Sequence, residues 1–115
     1  PWSPLHGGAL GGVLVKENPG RSAEGRAARY LAAHRDRIEA YEALCRELGH
    51  PPAAVALAWL LHREGVTAPV VGPRSVAQLE SALAAVDLRL EPDALERLDE
   101  VFPGPGGEAP EAFAW

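Results

Sequence analysis

The sequence contains no methionine, one cysteine and one lysine among its 115 residues. A lone thiol, Cys45, supports neither a disulfide framework nor a cysteine-based metal site, and its place in a helical apolar pattern predicts a core position. No apolar run approaches the ~18 residues that a membrane-spanning helix needs. We therefore expect a cytoplasmic protein, and the missing initiator methionine predicts an internal or processed piece.

Acidic and basic residues are interspersed along most of the chain and give a net charge of −5. Because no basic stretch dominates, a nucleic-acid partner is not expected. The length and the hydrophobic fraction of 47% predict one globular segment over 1–115.

The apolar spacing predicts a first long helix over about 26–48. Its inward residues recur at intervals of three and four and are Ile38, Tyr41, Leu44, Cys45 and Leu48, with Gly49 as the stop. Pro51 and Pro52 suit the start of a second helix, "AAVALAWLLH", whose continuous apolar character predicts burial around most of its circumference.

Two more helices are predicted after residue 74. Ser75 and Gln78 fit a capping box, and the spacing predicts a buried stripe of Val76, Leu79, Leu83 and Val86. The segment "EPDALERLDEVF" predicts a last short helix with Leu95, Leu98, Val101 and Phe102 inward. The final "PGPGGEAPEAFAW" is not expected to be helical.

Strand signals are sparse. The glycine-rich residues 1–22 predict a strand end followed by a long ordered loop, and "VTAPVV" at 66–71 predicts a parallel strand covered on both faces. At most two strands can be found, so the sheet of this α/β chain is expected to be incomplete.

One candidate site lies where the second strand passes into a helix. A strand ending in Gly72, a turn at Pro73 and Arg74, and a helix capped at Ser75 would place free amides and the positive end of a helix dipole together, and anions bind there. Arg74 adds a planar fork that suits a phosphate, with Gln78 one turn further on. A turn glycine, a helix cap and a solvated arginine explain the same residues without a ligand.

The second candidate site is "PWSPLHGGALGG" at the start of the chain. Glycines allow a backbone to approach a ligand closely, Ser3 offers a hydroxyl and Trp2 offers a flat ring for stacking. The alternative is a glycine-rich connecting loop with a core tryptophan.

Other polar residues indicate less chemistry. His6 could touch a ligand in the glycine loop, whereas His34, His50 and His62 stand at helix boundaries and favour structural roles. Three carboxylates, of Glu39, Glu42 and Glu47, are expected on exposed helix faces in i,i+4 pairs with arginines. The spacing predicts no metal site.

Both candidate sites occur in one chain, in this order, and the combination resembles the C-terminal part of the aldo-keto reductases. The likeness is strongest to the group that includes the voltage-gated potassium channel β subunits. It is carried by "WSPLHGGAL", "VALAWLLHREGVTAPVVGPRS" and "QLESALAAVDLRLEPDALERLDEVFPGPG", which together cover essentially the whole chain.

The resemblance implies the C-terminal portion of a (β/α)8 TIM barrel, with about two strands and four or five helices. Strand seven would begin near Pro1 and strand eight would run from about Val66 to Val71, before helix eight and a closing helix. Because such a barrel needs about 250 residues, the chain would supply less than half of it.

The resemblance also implies NADP(H) as the cofactor and an aldehyde or ketone as the substrate of the parent enzyme. In that family a ring at the Trp2 position stacks on the nicotinamide, the glycine loop lines the pyrophosphate, and the second site holds the adenosine 2′-phosphate. An arginine at the 2′-phosphate favours NADP over NAD. The residues implied to bind the cofactor are Trp2, Ser3, Leu5, Gly8, Leu10, Gly72, Pro73, Arg74, Ser75 and Gln78.

Several positions depart from the family pattern. Ser81 and Ala82 stand where many members carry an acid–asparagine pair that contacts adenine, and Val13 replaces a basic residue after the glycine loop. No catalytic residue can be carried over, because the strands that bear the family's Asp, Tyr, Lys and His tetrad would precede Pro1. Lys16 lies in the cofactor loop instead, so the segment alone is expected to be inactive.

Two other functions stay open on the sequence. An incomplete barrel would expose a sheet edge and apolar surface that suit a non-catalytic helical interaction module, or self-association of the chain. A nucleotide-phosphate binder of another fold would bind NADH and NADPH equally, which Arg74 argues against.

Overall fold

A computed structural model describes residues 1–14 and 25–104. The helices in these ranges are α1 (Gly25–Ala33), α2 (Arg35–Leu48), α3 (Pro52–Leu61), α4 (Val76–Asp87) and α5 (Pro92–Val101), with a 3₁₀ helix at His6–Gly8. Helix α3 packs chiefly on α4, α2 packs on its neighbours α1, α3 and α5, and the 3₁₀ helix packs on α1.

The single helix predicted over 26–48 is wrong in one respect, because it is two helices. His34 has φ −135° and ψ 34°, outside the helical region, and separates α1 from α2. The apolar spacing behind the prediction begins only at Ile38, so it held no information about the preceding turns. From Ile38 onward the prediction is confirmed: Ile38, Tyr41, Leu44 and Cys45 are buried.

Helix α2 stops where the sequence predicted. Gly49 has φ 74° and ψ 22°, a left-handed conformation that favours glycine, and its amide donates to Arg46 O. The next amide, of His50, donates back to Cys45 O at 3.1 Å. These two bonds form a Schellman motif that satisfies carbonyls at the end of the helix.

Helix α3 is the centre of the core. Pro52 begins it and the five residues 54–58 are buried, which confirms the predicted burial around most of its circumference. Tyr41 of α2 donates its hydroxyl to Pro52 O. Leu44, Cys45, Ala85, Leu90, Ala94 and Leu98 complete most of the remaining core around it.

Hydrogen bonds and an ion pair of Asp99 join α5 to α3 and to Arg63 at the edge of this core. Asp99 accepts hydrogen bonds from Trp59 Nε1 at 2.9 Å and from Arg63 Nη2 at 2.6 Å. The Arg63 guanidinium also lies 4.0 Å from the centroid of the Trp59 ring. Leu98 is buried as predicted, whereas Leu95, Val101 and Phe102 are half-buried against the core.

The predicted strands are largely absent from the described part of the chain. Trp2 and Val70 form one parallel bridge, in which the Val70 amide donates to Pro1 O at 2.8 Å. Val70 is 63% exposed and Val71 is 38% exposed, so the predicted cover on both faces is wrong here. A parallel pair needs further strands beside it, and none lies within the described ranges.

The predicted buried stripe on α4 is also wrong. Val76, Leu79, Leu83 and Val86 are 72%, 41%, 58% and 56% exposed. Helix α4 instead packs on α3 through its small-residue side, on which Ala85 is buried and Ala82 packs against the core. The periodicity identified an apolar face correctly, but a sequence pattern does not state whether a partner is present.

None of the described helices has the length and apolar character required to cross a membrane. The predictions for Lys16, for loop residues 15–22 and for the tail from residue 105, with Phe113 and Trp115, lie outside the described residues.

Candidate functional site

The two candidate sites meet at the parallel bridge. Trp2 lies beside Val70, and Arg74 follows Val70 by four residues. Four residues of chain span at most about 14 Å, so the Cα of Arg74 lies within that distance of the Cα of Val70. The structure therefore brings the start of the glycine loop and the strand-to-helix turn to one side of the molecule.

The turn ends in the predicted helix cap. Ser75 is the N-cap residue of α4, and its Oγ accepts a hydrogen bond from the Gln78 amide at 3.2 Å. Gln78 Oε1 reaches back, as a capping box predicts, but accepts from the Arg74 amide at 2.7 Å rather than from Ser75. Gln78 thereby fixes the backbone of Arg74.

Donors at this turn are available to a ligand. Arg74 is exposed, and its guanidinium contacts no acidic side chain among the described residues. The amides of Val76 and Ala77, in the first turn of α4, donate to no described residue. A cation and free amides at a helix start are the groups that bind phosphate, so the residues present fit one.

Gly72 is not explained by the turn. Its backbone φ is not positive, and a Cβ added to it would meet nothing within 4 Å in the described structure. Neither backbone strain nor crowding therefore requires glycine here, whereas close approach of a ligand to the backbone would.

The glycine loop has an unusual backbone. Ser3 has φ 56° and His6 has φ 48°, which are uncommon values for residues with a side chain, and Gly7 and Gly8 have φ 69° and 105°. The turn closes through hydrogen bonds from the His6 amide to Ser3 O at 2.9 Å and from the Gly8 amide to Leu5 O at 2.8 Å. Such conformations persist only where neighbours hold them, and they concentrate at functional sites.

Helix α1 supplies those neighbours. Arg26 Nη2 donates to Ser3 Oγ at 3.0 Å, and the Arg26 guanidinium carbon lies 5.4 Å from the Trp2 ring centroid. A Cβ on Gly7 would lie 3.6 Å from the Ala27 Cβ, so α1 packs closely on the 3₁₀ helix. The Tyr30 ring stands 4.4 Å from the His6 ring, centroid to centroid.

Glu42 contacts the glycine-rich segment at Leu14, and its burial shows that the exposed position predicted for it is wrong. Glu42 is 4% exposed rather than solvated, and its Oε1 accepts from the Leu14 amide at 3.1 Å. Its Oε2 has no hydrogen-bond partner in the described structure. Glu39 does pair with Arg35 at i,i+4, as predicted, whereas Glu47 pairs with Arg97 of α5 at 2.5 Å.

The remaining titratable groups have structural environments. Burial raises the pKa of the Cys45 thiol to about 11 and raises the pKa of the Tyr41 hydroxyl far above its ordinary value. His62 Nε2 accepts from the Leu90 amide at 3.3 Å, and the other ring nitrogen, Nδ1, donates to Ala58 O at 2.8 Å. No cluster of three His, Cys, Asp or Glu side chains within 1–14 and 25–104 could hold a metal ion.

Sequence reasoning missed Arg26, Tyr30 and Glu42. The spacing did contain a signal for Glu42, which stands four residues after Ile38 and three before Cys45 and so shares their buried face. No local signal pointed to Arg26 or Tyr30, because their contacts depend on how α1 folds back onto the glycine loop.

Comparison with known proteins identifies the family of the chain. Residues 1–102 match the model of the aldo/keto reductase family. The chain is 48% identical over 114 residues to the uncharacterized oxidoreductase YrpG of Bacillus subtilis, covering 99% of this chain and 35% of that protein. It is 34% identical over 107 residues to the aldo-keto reductase dtxS3 of Metarhizium robertsii, covering 89% and 28% of the two chains. The chain thus spans about a third of the length of the curated relatives it matches.

Proposed function

Because the chain belongs to the aldo/keto reductase family, we propose that it is the C-terminal, NADP(H)-binding part of a (β/α)8 barrel oxidoreductase. The observation that supports the proposal is the Trp2–Val70 bridge, which joins the backbone at the start of the glycine loop to a residue four positions before Arg74. Ligands of such barrels gather at the C-terminal ends of the strands, where both clusters would lie.

Each cluster has a distinct task in this proposal. Trp2 offers its exposed ring to the nicotinamide, and Ser3, Leu5, Gly8 and Leu10 line the pyrophosphate. Arg74 and the free amides after Ser75 take the adenosine 2′-phosphate, with Gly72 and Pro73 shaping the approach and Gln78 fixing the Arg74 backbone.

The chemistry of the parent enzyme would be the reduction of an aldehyde or ketone. When bound, NADPH supplies the hydride for the carbonyl carbon. The general acid that protonates the carbonyl oxygen would come from a tyrosine preceding Pro1. We therefore expect the 115-residue chain alone to be inactive, and turnover of a carbonyl substrate well above the blank would contradict this part.

The exposed apolar face supports an incomplete barrel. Within residues 1–14 and 25–104, seven large hydrophobic side chains are exposed, namely Trp2, Val70, Val71, Val76, Leu79, Leu83 and Val86. They lie on α4 and on the two segments joined by the bridge, where further strands and helices of a barrel would pack. The cytoplasmic location expected from the sequence remains a prediction.

A comparison of NADPH with NADH tests the cofactor proposal. Calorimetric titration of the chain should give at least about tenfold tighter binding of NADPH, since only NADPH carries the 2′-phosphate that the Arg74 guanidinium would bind. Arg74→Gln should remove this preference, and Arg89→Gln, an exposed arginine at the other end of α4, should leave it intact. Equal affinity of the unaltered chain for both nucleotides would contradict the assignment of Arg74.

The same apolar face favours the second candidate, a non-catalytic interaction module that associates with a protein or with itself. Sedimentation velocity should then show a dimer that Leu83→Lys dissociates and that Ala32→Lys, on exposed α1 surface, does not. If tryptophan fluorescence of the chain does not change at millimolar NADPH and such a dimer is present, the module is favoured over the cofactor proposal.

A further inference from the structure

The glycine loop holds a ring stack that the cofactor assignment does not use. His6, Tyr30 and His34 follow one another with ring centroids 4.4 Å and 4.5 Å apart and with interplanar angles of 51° and 46°. His6 belongs to the loop, Tyr30 to α1, and His34 to the junction of α1 and α2. All three side chains are half-buried.

The ring stack contacts the glycine loop at His6, where the backbone of the loop turns sharply. His6 has φ 48° and is followed by two glycines in left-handed conformations, so the chain turns sharply between Leu5 and Ala9. Among the described residues, the Tyr30 ring of α1 contacts the His6 ring. Displacement of His6 from Tyr30 would therefore remove one of the α1 contacts that hold this turn, the others being those of Arg26 with Trp2 and Ser3.

The groups that face His6 are cationic or neutral. Arg26 and His34 both lower the His6 pKa from its ordinary value of 6.5, after the larger effect of burial. No described carboxylate forms an ion pair with His6. Helix α1 is the element packed on the 3₁₀ helix, and its titratable groups on this side are Arg26 and Tyr30, with His34 at its end.

We propose that His6 and Tyr30 are positioning residues that hold the glycine loop ready for the nicotinamide and pyrophosphate, and that protonation of His6 loosens this loop. This inference rests on the proposed function for its ligand, but the contact between the His6 and Tyr30 rings is a property of the free chain. Burial and the charge of Arg26 favour the neutral form of His6, so protonation of His6 opposes this contact. The contact is therefore complete above about pH 6.5 and is lost as the pH falls below that value.

The test compares NADP⁺ with 2′,5′-ADP at pH 7.5 and pH 5.5. NADP⁺ would engage both clusters, whereas 2′,5′-ADP carries no nicotinamide and no pyrophosphate and would report on the Arg74 end. His6→Phe retains a ring but cannot be protonated, and His50→Phe alters an exposed histidine as the matched control. Because the 2′-phosphate also titrates near pH 6, each affinity is expressed relative to His6→Phe at the same pH.

The unaltered chain and His50→Phe should lose up to about tenfold in NADP⁺ affinity relative to His6→Phe at pH 5.5, one unit below the ordinary histidine value. Their relative affinity for 2′,5′-ADP should not change. Tyr30→Leu, which leaves His6 in place but removes its support, should weaken NADP⁺ binding at pH 7.5 by at least about threefold. An equal pH dependence in the unaltered chain and His6→Phe would overturn the proposal.

Ligand-free spectra separate this proposal from the cofactor assignment. The indole N–H signal of Trp2, identified by its loss in Trp2→Phe, and the amide signal of Gly7 should both titrate below pH 6.5 in the unaltered chain and not in His6→Phe. If neither nucleotide binds, the proposed function is contradicted, but these ligand-free signals still test whether protonation of His6 loosens the loop. Signals that do not titrate, or that titrate equally in both proteins, would contradict the proposed role of His6. The control variant His34→Phe should retain the titration.

Discussion

Helices α2 and α4 carry similar apolar stripes but meet opposite environments. The α2 residues Ile38, Tyr41, Leu44 and Cys45 are at most 3% exposed, whereas the α4 residues Val76, Leu79, Leu83 and Val86 are 41–72% exposed. Helix α2 packs on α3 and α5, while the outer face of α4 and the residues of the Trp2–Val70 bridge are exposed in the described structure. The core around α2 and α3 is thus covered within the described structure, whereas the α4 face is an exposed apolar surface suited to further partners.

The largest contrast between the two regions should appear in stability. Leu57→Ala, at a position 2% exposed in α3, should lower the free energy of unfolding by about 2–5 kcal/mol because it leaves a cavity. Leu83→Ala, at a position 58% exposed, should change it by less than about 0.5 kcal/mol. Urea denaturation followed by circular dichroism measures both, and equal losses would show that the α4 face is covered.

Two glycines sharpen the same contrast. Gly49→Ala forces an alanine into φ 74° at the end of α2 and should cost about 1–2 kcal/mol in unfolding free energy. Gly72→Ala meets no such strain and no neighbouring atom, so the stability should stay within about 0.5 kcal/mol.

Gly72→Ala should nevertheless weaken NADPH binding, because its new methyl group would occupy space that the proposed function gives to the cofactor. Titration calorimetry on a variant with unchanged unfolding would isolate this effect. If Gly72→Ala binds NADPH as well as the unaltered chain does, the glycine serves no ligand.

The cap of α4 should have a smaller effect on stability. Ser75→Ala removes the acceptor for the Gln78 amide and should cost about 1 kcal/mol. Ser81→Ala, within the same helix, should be neutral or slightly stabilising because alanine has the higher helix propensity. Thermal unfolding of the two variants distinguishes them; a neutral Ser75→Ala would mean that the cap is not formed in solution.

The smallest effect is expected on the solvated side of α2. Glu39→Gln breaks an exposed i,i+4 pair with Arg35 whose atoms lie 2.8 Å apart. It should cost at most about 0.5 kcal/mol, and the cost should shrink further in high salt. Unfolding at low and high ionic strength tests this, and a large cost that salt does not reduce would be unexpected.

Helix starts, stops and caps could be predicted from the sequence, because neighbouring residues of the chain satisfy their backbone groups. The Pro51–Pro52 start of α3, the Gly49 stop and the Ser75 cap follow from backbone requirements that neighbouring residues satisfy. The expectation that Glu42 is exposed was wrong, because a carboxylate is usually solvated but the position of Glu42 between Ile38 and Cys45 lies on their buried face. The exposure of the α4 stripe could not be predicted, since periodicity describes one helix and burial depends on what packs against it.

The candidate site likewise has features that the sequence predicts and contacts that it does not. The Ser75 cap and the free amides of Val76 and Ala77 follow from the sequence, and the parallel Trp2–Val70 bridge agrees with the resemblance. The contacts of Arg26 with Ser3 and of Tyr30 with His6 span more than twenty residues of chain. Only the path of α1 across the loop sets them, and no local motif encodes that path.

One titration tests the central claim, that a single dinucleotide spans both clusters. NADPH is added to ¹⁵N-labelled chain, and the indole N–H signal of Trp2 and the side-chain Nε–H signal of Arg74 are followed together. Both signals should shift and saturate with the same dissociation constant. A shift of only one of them, or two different dissociation constants, would contradict the account.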